Sequence, residues 1–416
     1  MVHLNFDILS MIFIEALHTG SSSLLTLRLV NQAWYEITGR TPQLWTRLVL
    51  NRRSHFRNLK YAPVYFQKSG ALPIDVHIAL PNGVDSRGIE AVSNLLRGQT
   101  SKLRSFDLHV PTRDELEIFL RLIAKGRPAP LLEVLKLRVQ ISRPADSCLH
   151  FESFFICFTP APRLTHLEIP TWPHAKPFPR PKLPNLTSIT IDGMFADGVA
   201  THDLISFISC APTLQNLVYK CRGTRGSFHI GEAREYVVHL PNLLTVDVTV
   251  PGAGGDLLCL INAPALTDAR FNGFRDSTVE LVWEGPPIES LAATVFLLSR
   301  RSRNLRRLTL EYTEFLDMPG DFDTIFDGIS FPQLEEVLLI ATDITDETLM
   351  NASRRSSSLK KLKLRDCDWV TGTGLLEFVR GRGSDFSLYL QDCRNLDLTQ
   401  EDMDEISQMI KVEGLR

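Results

Sequence analysis

Along most of the chain an apolar-x-x-apolar-x-apolar pattern returns at intervals of about 30 residues, a period typical of solenoid repeats. Copies begin at Leu103 (with Phe106 and Leu108), Leu132 (Leu135, Leu137), Leu164 (Leu167, Ile169), Leu186 (Ile189, Ile191) and Leu214 (Leu217, Tyr219). They continue at Leu243 (Val246, Val248), Leu266 (Ala269, Phe271), Leu305 (Leu308, Leu310), Leu334 (Val337, Leu339) and Leu359 (Leu362, Leu364), with a degenerate copy at Leu388 and Leu390. The last two apolar positions of each copy are two residues apart, so both point to one face of a short strand. The first closes the turn that leads in.

Between the copies, residues 113–125, 151–158, 203–210, 346–353 and 374–380 carry apolar side chains at helical spacing, as in Leu116, Phe119, Leu120 and Ile123. Pro precedes the strand in Pro184-Asn185-Leu186 and Pro241-Asn242-Leu243, where it stops a helix and imposes an extended approach. Neither so short a strand nor so short a helix buries an apolar face alone. Each inward Leu or Ile stabilises by about 1.5–3 kcal/mol on full burial, so stacked copies together offset the chain entropy. The expected fold class is α/β: from about residue 70, a curved solenoid with a parallel sheet inside and helices outside. The alternative is an ordinary alternating α/β protein, whose strands would be longer apolar runs without the three-then-two spacing.

The opening segment follows another rule. Leu4, Ile8, Ile12, Phe13 and Leu17 lie at helical spacing, and Leu27, Val30 and Trp34 repeat it within residues 23–37, so two short helices are expected. With Phe6, Leu9, Met11, Leu24, Leu25, Leu29 and Tyr35, this is a heavy apolar load for so small a module, and part of it should face a partner. The alternative is that these helices merely cap the solenoid.

Two resemblances rest on these residues. LKKLKLRDCDWVTGTGL from Leu359 resembles the cysteine-containing subtype of the leucine-rich repeat family. That resemblance implies a structural role for Cys367 and Cys393, bonding the turn after the strand. LNFDILSMIF from Leu4, LRLVNQAW from Leu27 and TPQLW from Thr41 resemble the F-box of the F-box-like type found ahead of fungal leucine-rich repeats. Departures are Asn5 for the usual proline, Asn31 for the common cysteine, and Gln32 and Ala33 where basic residues are frequent. By this resemblance Leu4, Ile8, Leu9, Ile12, Val30 and Trp34 dock on the adaptor subunit of an SCF-type E3 ubiquitin ligase, and through it on a cullin. The chain would then be its substrate-recognition subunit. A plain scaffold or interaction protein is the other reading. The expected domains are a helical module over 1–50, linking repeat-like units over 51–100 and the solenoid over 101–416.

Strand alternation places the residues between the leucines on the inner, concave surface. Expected target contacts there are Asp268, Arg270, Arg307, Glu311, Leu338, Ile340, Lys361, Lys363, Arg365 and Tyr389, with charge steering the approach and the apolar members anchoring it.

Composition narrows the rest. Apolar residues make up 44% and charged residues 22%, as in a folded protein. A net charge of -3 argues against a sequence-independent nucleic-acid binder. The N-terminus lacks a basic n-region, no apolar run has membrane-spanning length, and seven cysteines include no C-x-x-C pair, so a cytoplasmic or nuclear protein is expected, without a membrane partner. Pro251 to Asp256 looks like a phosphate loop but lacks the Lys and Ser/Thr that would reach phosphates. The eleven histidines show no H-x-x-x-H or H-E-x-x-H spacing, and no nucleophile elbow occurs. The expectation is therefore a protein without catalytic residues, metal or cofactor. Pro170 to Pro184 reads as an extended insertion between repeats.

Overall fold

The computed structural model describes residues 5–19, 23–50, 61–80, 86–124, 127–140, 158, 160–170, 183–193, 201–221, 237–249, 260–273, 298–313, 325–356 and 358–413. The Pro251–Asp256 loop, all but Phe158 of the expected helix over 151–158 and most of the Pro170–Pro184 segment lie outside them.

The described chain divides into two compact units, Met1–His174 and Ala175–Arg416. In the first lie β1 (Arg47–Leu50), β2 (Ile74–Ala79), β3 (Leu103–Val110), β4 (Val134–Val139) and β5 (His166–Ile169). The second holds β6 (Ser188–Gly193), β7 (Asn216–Cys221), β8 (Val238–His239), β9 (Thr245–Thr249), β10 (Ile261–Asn262), β11 (Asp268–Asn272) and β12 (Arg307–Glu311). It continues with β13 (Glu336–Ile340), β14 (Lys361–Arg365), β15 (Ser387–Gln391) and β16 (Lys411–Glu413). Within each unit the strands other than β8 and β10 lie side by side in chain order, β1 to β5 in the first and β6 to β16 in the second, and β8 and β10 pair with each other. A doubly wound α/β sheet reverses its strand order at a switch point. Here the order never reverses, as stacking of successive repeat-like units requires.

Register supplies the physical reason. Leu308 pairs with Val337, Val337 with Leu362 and Leu362 with Leu388, while Leu310, Leu339, Leu364 and Leu390 form the next row. Phe106 and Leu108 align in the same way with Leu135 and Leu137. These side chains are buried, so the three-then-two leucines are in phase within each unit. The copy at Leu388, degenerate in sequence, forms a full strand.

The first leucine of a copy closes a β-turn instead of an extended approach. Leu132, Leu164, Leu186, Leu214, Leu243, Leu266 and Leu334 each donate a backbone N–H to the carbonyl three residues earlier, at 3.1–3.2 Å. Pro130, Pro162, Pro184, Pro212, Pro241, Pro264 and Pro332 occupy the second turn position, where a fixed φ near −65° is already right. Past the strand, Tyr312, Ala341, Asp366 and Asp392 adopt φ of 51°, 48°, 52° and 55°. The first three donate N–H to the last strand carbonyl of the next copy, adding a rung at 2.8–3.0 Å. Gly273 fills the equivalent place before Tyr312, and a Cβ on it would lie 2.6 Å from the Tyr312 carbonyl oxygen.

Each unit also carries helices, and the repeat helices pack on the leucine side of the strands. In the first unit these are α1 (Phe6–His18), α2 (Leu24–Arg28), α3 (Gln32–Arg40), α4 (Ala62–Lys68), α5 (Ser86–Arg97) and α6 (Arg113–Ala124). The second unit has α7 (Thr201–Ile208), α8 (Asp346–Arg355), α9 (Gly372–Arg380) and α10 (Gln400–Met409). Phe119 of α6 stacks on Phe106 of β3 with centroids 5.8 Å apart. Thr345, Thr371 and Thr399 cap α8, α9 and α10 by accepting from the backbone of the first turn, which otherwise leaves donors unsatisfied. At the other ends, basic side chains of neighbouring segments bond the free carbonyls. Arg97 binds Leu122 O at 2.7 Å, Arg127 binds Arg97 O at 2.7 Å, and Arg382 binds Ala352 O at 2.7 Å.

The N-terminal module contains three helices where two were expected, followed by a 3-10 turn at Pro42–Trp45. The expected second helix breaks at Leu29–Asn31 because the Asn31 side chain accepts from Trp34 N–H at 2.9 Å and starts α3 as its cap. Phe13, Leu24, Leu27, Ile37, Leu44 and Trp45 make the module's core, and Val64 and Tyr65 of α4 pack against it.

Candidate protein-docking surfaces

The module's apolar residues divide into two sets. Phe13, Leu44 and Trp45 are interior, and the Trp45 indole donates to Thr38 O at 2.7 Å. Of the residues expected to dock, Leu9 and Trp34 are partly buried against the core, Trp34 with its ring centroid 4.6 Å from that of Phe13. Ile8, Ile12 and Val30 stand 48%, 48% and 53% exposed, joined by Met11 at 70% and Leu29 at 86%. Leu4 lies outside the described residues. A helix that must only close its own core has no reason to leave so many large apolar side chains in water.

On the second unit, register brings the ten expected target contacts onto one face of β11–β15. Asp268, Arg307, Glu336, Lys361 and Ser387 align in one row, Arg270, Thr309, Leu338, Lys363 and Tyr389 in the next, and Asn272, Glu311, Ile340, Arg365 and Gln391 in a third. Most of their charges are paired with one another on this mixed face. Arg307 pairs with Asp268, Lys363 with Glu336 at 2.5 Å, and Arg365 with Asp366 at 3.4 Å. Burial alone would raise the Asp268 carboxyl, but hydrogen bonds from Arg307 and Thr267 outweigh it and hold the group below its ordinary range.

Glu311 is 7% exposed, and its carboxylate takes Arg270 at 3.1 and 3.2 Å and Asn272 at 2.7 Å. It therefore fixes Arg270 and is not open to a target. Leu338, Ile340 and Tyr389 form a half-buried apolar strip on this face, flanked by the exposed Arg307 and Arg365, with Lys361 beside it lacking an ion-pair partner among the described residues.

The first unit carries a polar row that the sequence reading did not single out. His77 Nδ1 lies 3.0 Å from Asp107 Oδ2, and Arg138 binds Glu168 at 2.5 and 2.9 Å while reaching Asp107 at 3.5 Å. Burial would raise Asp107, yet His77 and Arg138 bring it below its ordinary value. Burial, then the Arg138 charge, lowers His109. Parallel pairing assembles these side chains from four strands separated by long stretches of sequence. The only sequence signal was their position between the leucines.

Cys367 is buried, and its thiol bonds Arg365 O at 3.3 Å, Leu339 O at 3.6 Å and Thr342 Oγ1 at 3.5 Å. A hydrogen bond with Cys393 is the main cause that draws it down to about 7, and the same bond holds Cys393 up, so the two thiols titrate as a pair. Cys393 Sγ also donates to Gln391 O at 3.5 Å. Both cysteines thus tie the turn after the strand to the carbonyls around it. Among the described residues no group of three or more His, Cys, Asp or Glu is placed to hold a metal ion, and no helix is long and apolar enough to cross a membrane.

No family model matches the chain, and no curated protein matches it. Among solved structures, a Bacteroides fragilis protein determined by a structural-genomics consortium is similar at 13% identity and a TM-score of 0.34, over 88% of this chain and 73% of that one. At that score the likeness carries no argument, and the functional reading rests on the surfaces themselves.

Proposed function

We propose that the chain is a non-enzymatic receptor, the substrate-recognition subunit of an SCF-type E3 ubiquitin ligase. In this reading residues 4–50 are an F-box-like module that docks on the adaptor subunit, and through it on a cullin. The later strands are leucine-rich repeats that hold a target protein, and the transfer chemistry belongs to other subunits. Holding a target near a tethered reactive group raises its effective concentration without any chemistry in the receptor.

The observation that carries this reading is the exposed apolar set Ile8, Met11, Ile12, Leu29 and Val30, which falls within the motif stretches that resemble an F-box. A second reading, a scaffold whose N-terminal helices only cap the sheet, draws on the packing of Val64 and Tyr65 against the module core. It accounts for the inner face of the module and leaves the outer face without a role. Binding of the full chain to purified adaptor subunit separates the two. Ile12→Asp changes an exposed residue, so its circular dichroism should stay native while binding is lost. Unchanged binding by this variant, or none by the wild type, would favour the scaffold.

A further inference from the structure

Arg28 is the last residue of α2, and its guanidinium carbon lies 4.4 Å from the ring centroid of Tyr35 and 5.2 Å from that of Trp45. Trp45 is 1% exposed and pinned by its bond to Thr38 O, so this floor is fixed. The Arg28 charge also reaches Tyr65, whose hydroxyl burial pushes up and the cation pulls back.

Other partly buried arginines of the chain are matched by acceptors: Arg138 by Glu168, Arg270 by Glu311, and Arg382 by the Ala352 and Ser356 carbonyls. Arg28 differs. Its Nε is buried without a partner. The Nε of Arg382 is buried without a partner as well, but Arg382 keeps its two carbonyls, whereas among the described residues no side-chain nitrogen of Arg28 has a hydrogen-bond or ion-pair partner. A cation partly stripped of water costs free energy unless paired, and stacking uses only the faces of the guanidinium. The Nε is closed to a partner by its burial, so the two terminal nitrogens, end-on, remain for a planar, bidentate acceptor. Around it the surface is apolar, with Leu29 at 86%, Val30 at 53% and Tyr35 at 52% exposure.

We infer that Arg28 is the polar anchor of the N-terminal docking surface and takes an Asp or Glu carboxylate of the partner subunit, with Leu29, Val30 and Tyr35 as its apolar surround. This rests on the reading that the N-terminal helices dock on an adaptor. It adds the chemistry of the contact: an apolar segment carrying one carboxylate that is withdrawn from water on binding.

The test is calorimetric binding of the full chain to purified adaptor subunit at low and high NaCl, for the wild type, Arg28→Met, Arg28→Lys and Ile12→Asp. Met keeps the contact with the rings and removes the charge. Arg28→Met should weaken binding about tenfold or more, and Arg28→Lys should keep part of the loss from appearing. Salt should weaken the wild type more than Arg28→Met. Wild-type affinity and salt response in a folded Arg28→Met, with Ile12→Asp still inactive, would overturn the carboxylate contact and leave docking standing. A wild type that fails to bind would overturn docking and the contact with it. Should Arg28→Met lose its native circular dichroism, the wild type decides, since an affinity indifferent to salt also overturns the contact.

Discussion

Leu362→Ala tests whether stability in the second unit is passed from neighbour to neighbour. Leu362 is fully buried and sits in register between Val337 and Leu388. Removing its terminal carbons forfeits their transfer free energy and leaves a cavity, together about 3 kcal/mol within a range of about 2–5 for such sites. Both flanking side chains belong to strands paired in register with β14, so collapse into the space is limited and a loss of about 3 kcal/mol, not the low end of the range, is expected. In a stacked array each unit touches only its neighbours, so the loss should stay local. Hydrogen exchange read by mass spectrometry is the assay, because it resolves the opening free energy of each strand. Amides of β13, β14 and β15 should exchange about a hundredfold faster, the factor that corresponds to about 3 kcal/mol. Those of β6 and β7, in the same unit, should change by less than about twofold. Equal acceleration in β6 and β14 would refute the neighbour-only reasoning. A loss below about 1 kcal/mol would refute the packing argument.

Two further outcomes follow from the same structure. Arg382→Ala removes a cation that caps α8 at Ala352 O and Ser356 O and lies 4.8 Å from the Phe378 ring and 5.4 Å from Phe386. Thermal unfolding should show a loss of about 2 kcal/mol, and Arg382→Lys should not restore it, since Lys lacks the fork and the planar stacking surface. His109 is lowered from its ordinary 6.5, so below that pH the unfolded chain binds the proton that the folded chain resists. Its contribution is therefore lost as pH falls through the unfolded value, and His109→Gln should flatten the melting temperature between about pH 7 and 5.5 relative to wild type. A parallel offset at every pH would contradict this.

What was legible in the sequence was the part set by local period. Leu103 to Leu390 announce their strands because two apolar residues two apart and a third three earlier satisfy one buried face, and each unit's pairing keeps them in phase. The bulk of the open face was legible too, since alternation alone assigns Arg307, Leu338 and Lys363 to it. Less visible were effects that depend on which strand lies beside which. The burial of Glu311 by Arg270 and Asn272 needs β11 and β12 placed side by side across 274–297. So does the His77–Asp107 contact, across β2 and β3. The break before Asn31 was hidden for another reason: its side chain competes with the helix backbone, while the apolar spacing runs on through it. Left-handed residues such as Tyr312 and Ala341 carry no compositional mark, because their neighbours impose the conformation.

One consequence of the strict register concerns how such a face can change. The stretch from Leu266 to Leu305 is much longer than that from Leu243 to Leu266. Both connect strands aligned residue for residue over their full length. A difference in the length of chain between copies thus leaves the spacing of side chains on the open face untouched. Loop length and surface chemistry are thereby free to drift separately, so specificity can be rewritten one outward residue at a time without re-tuning the backbone beneath.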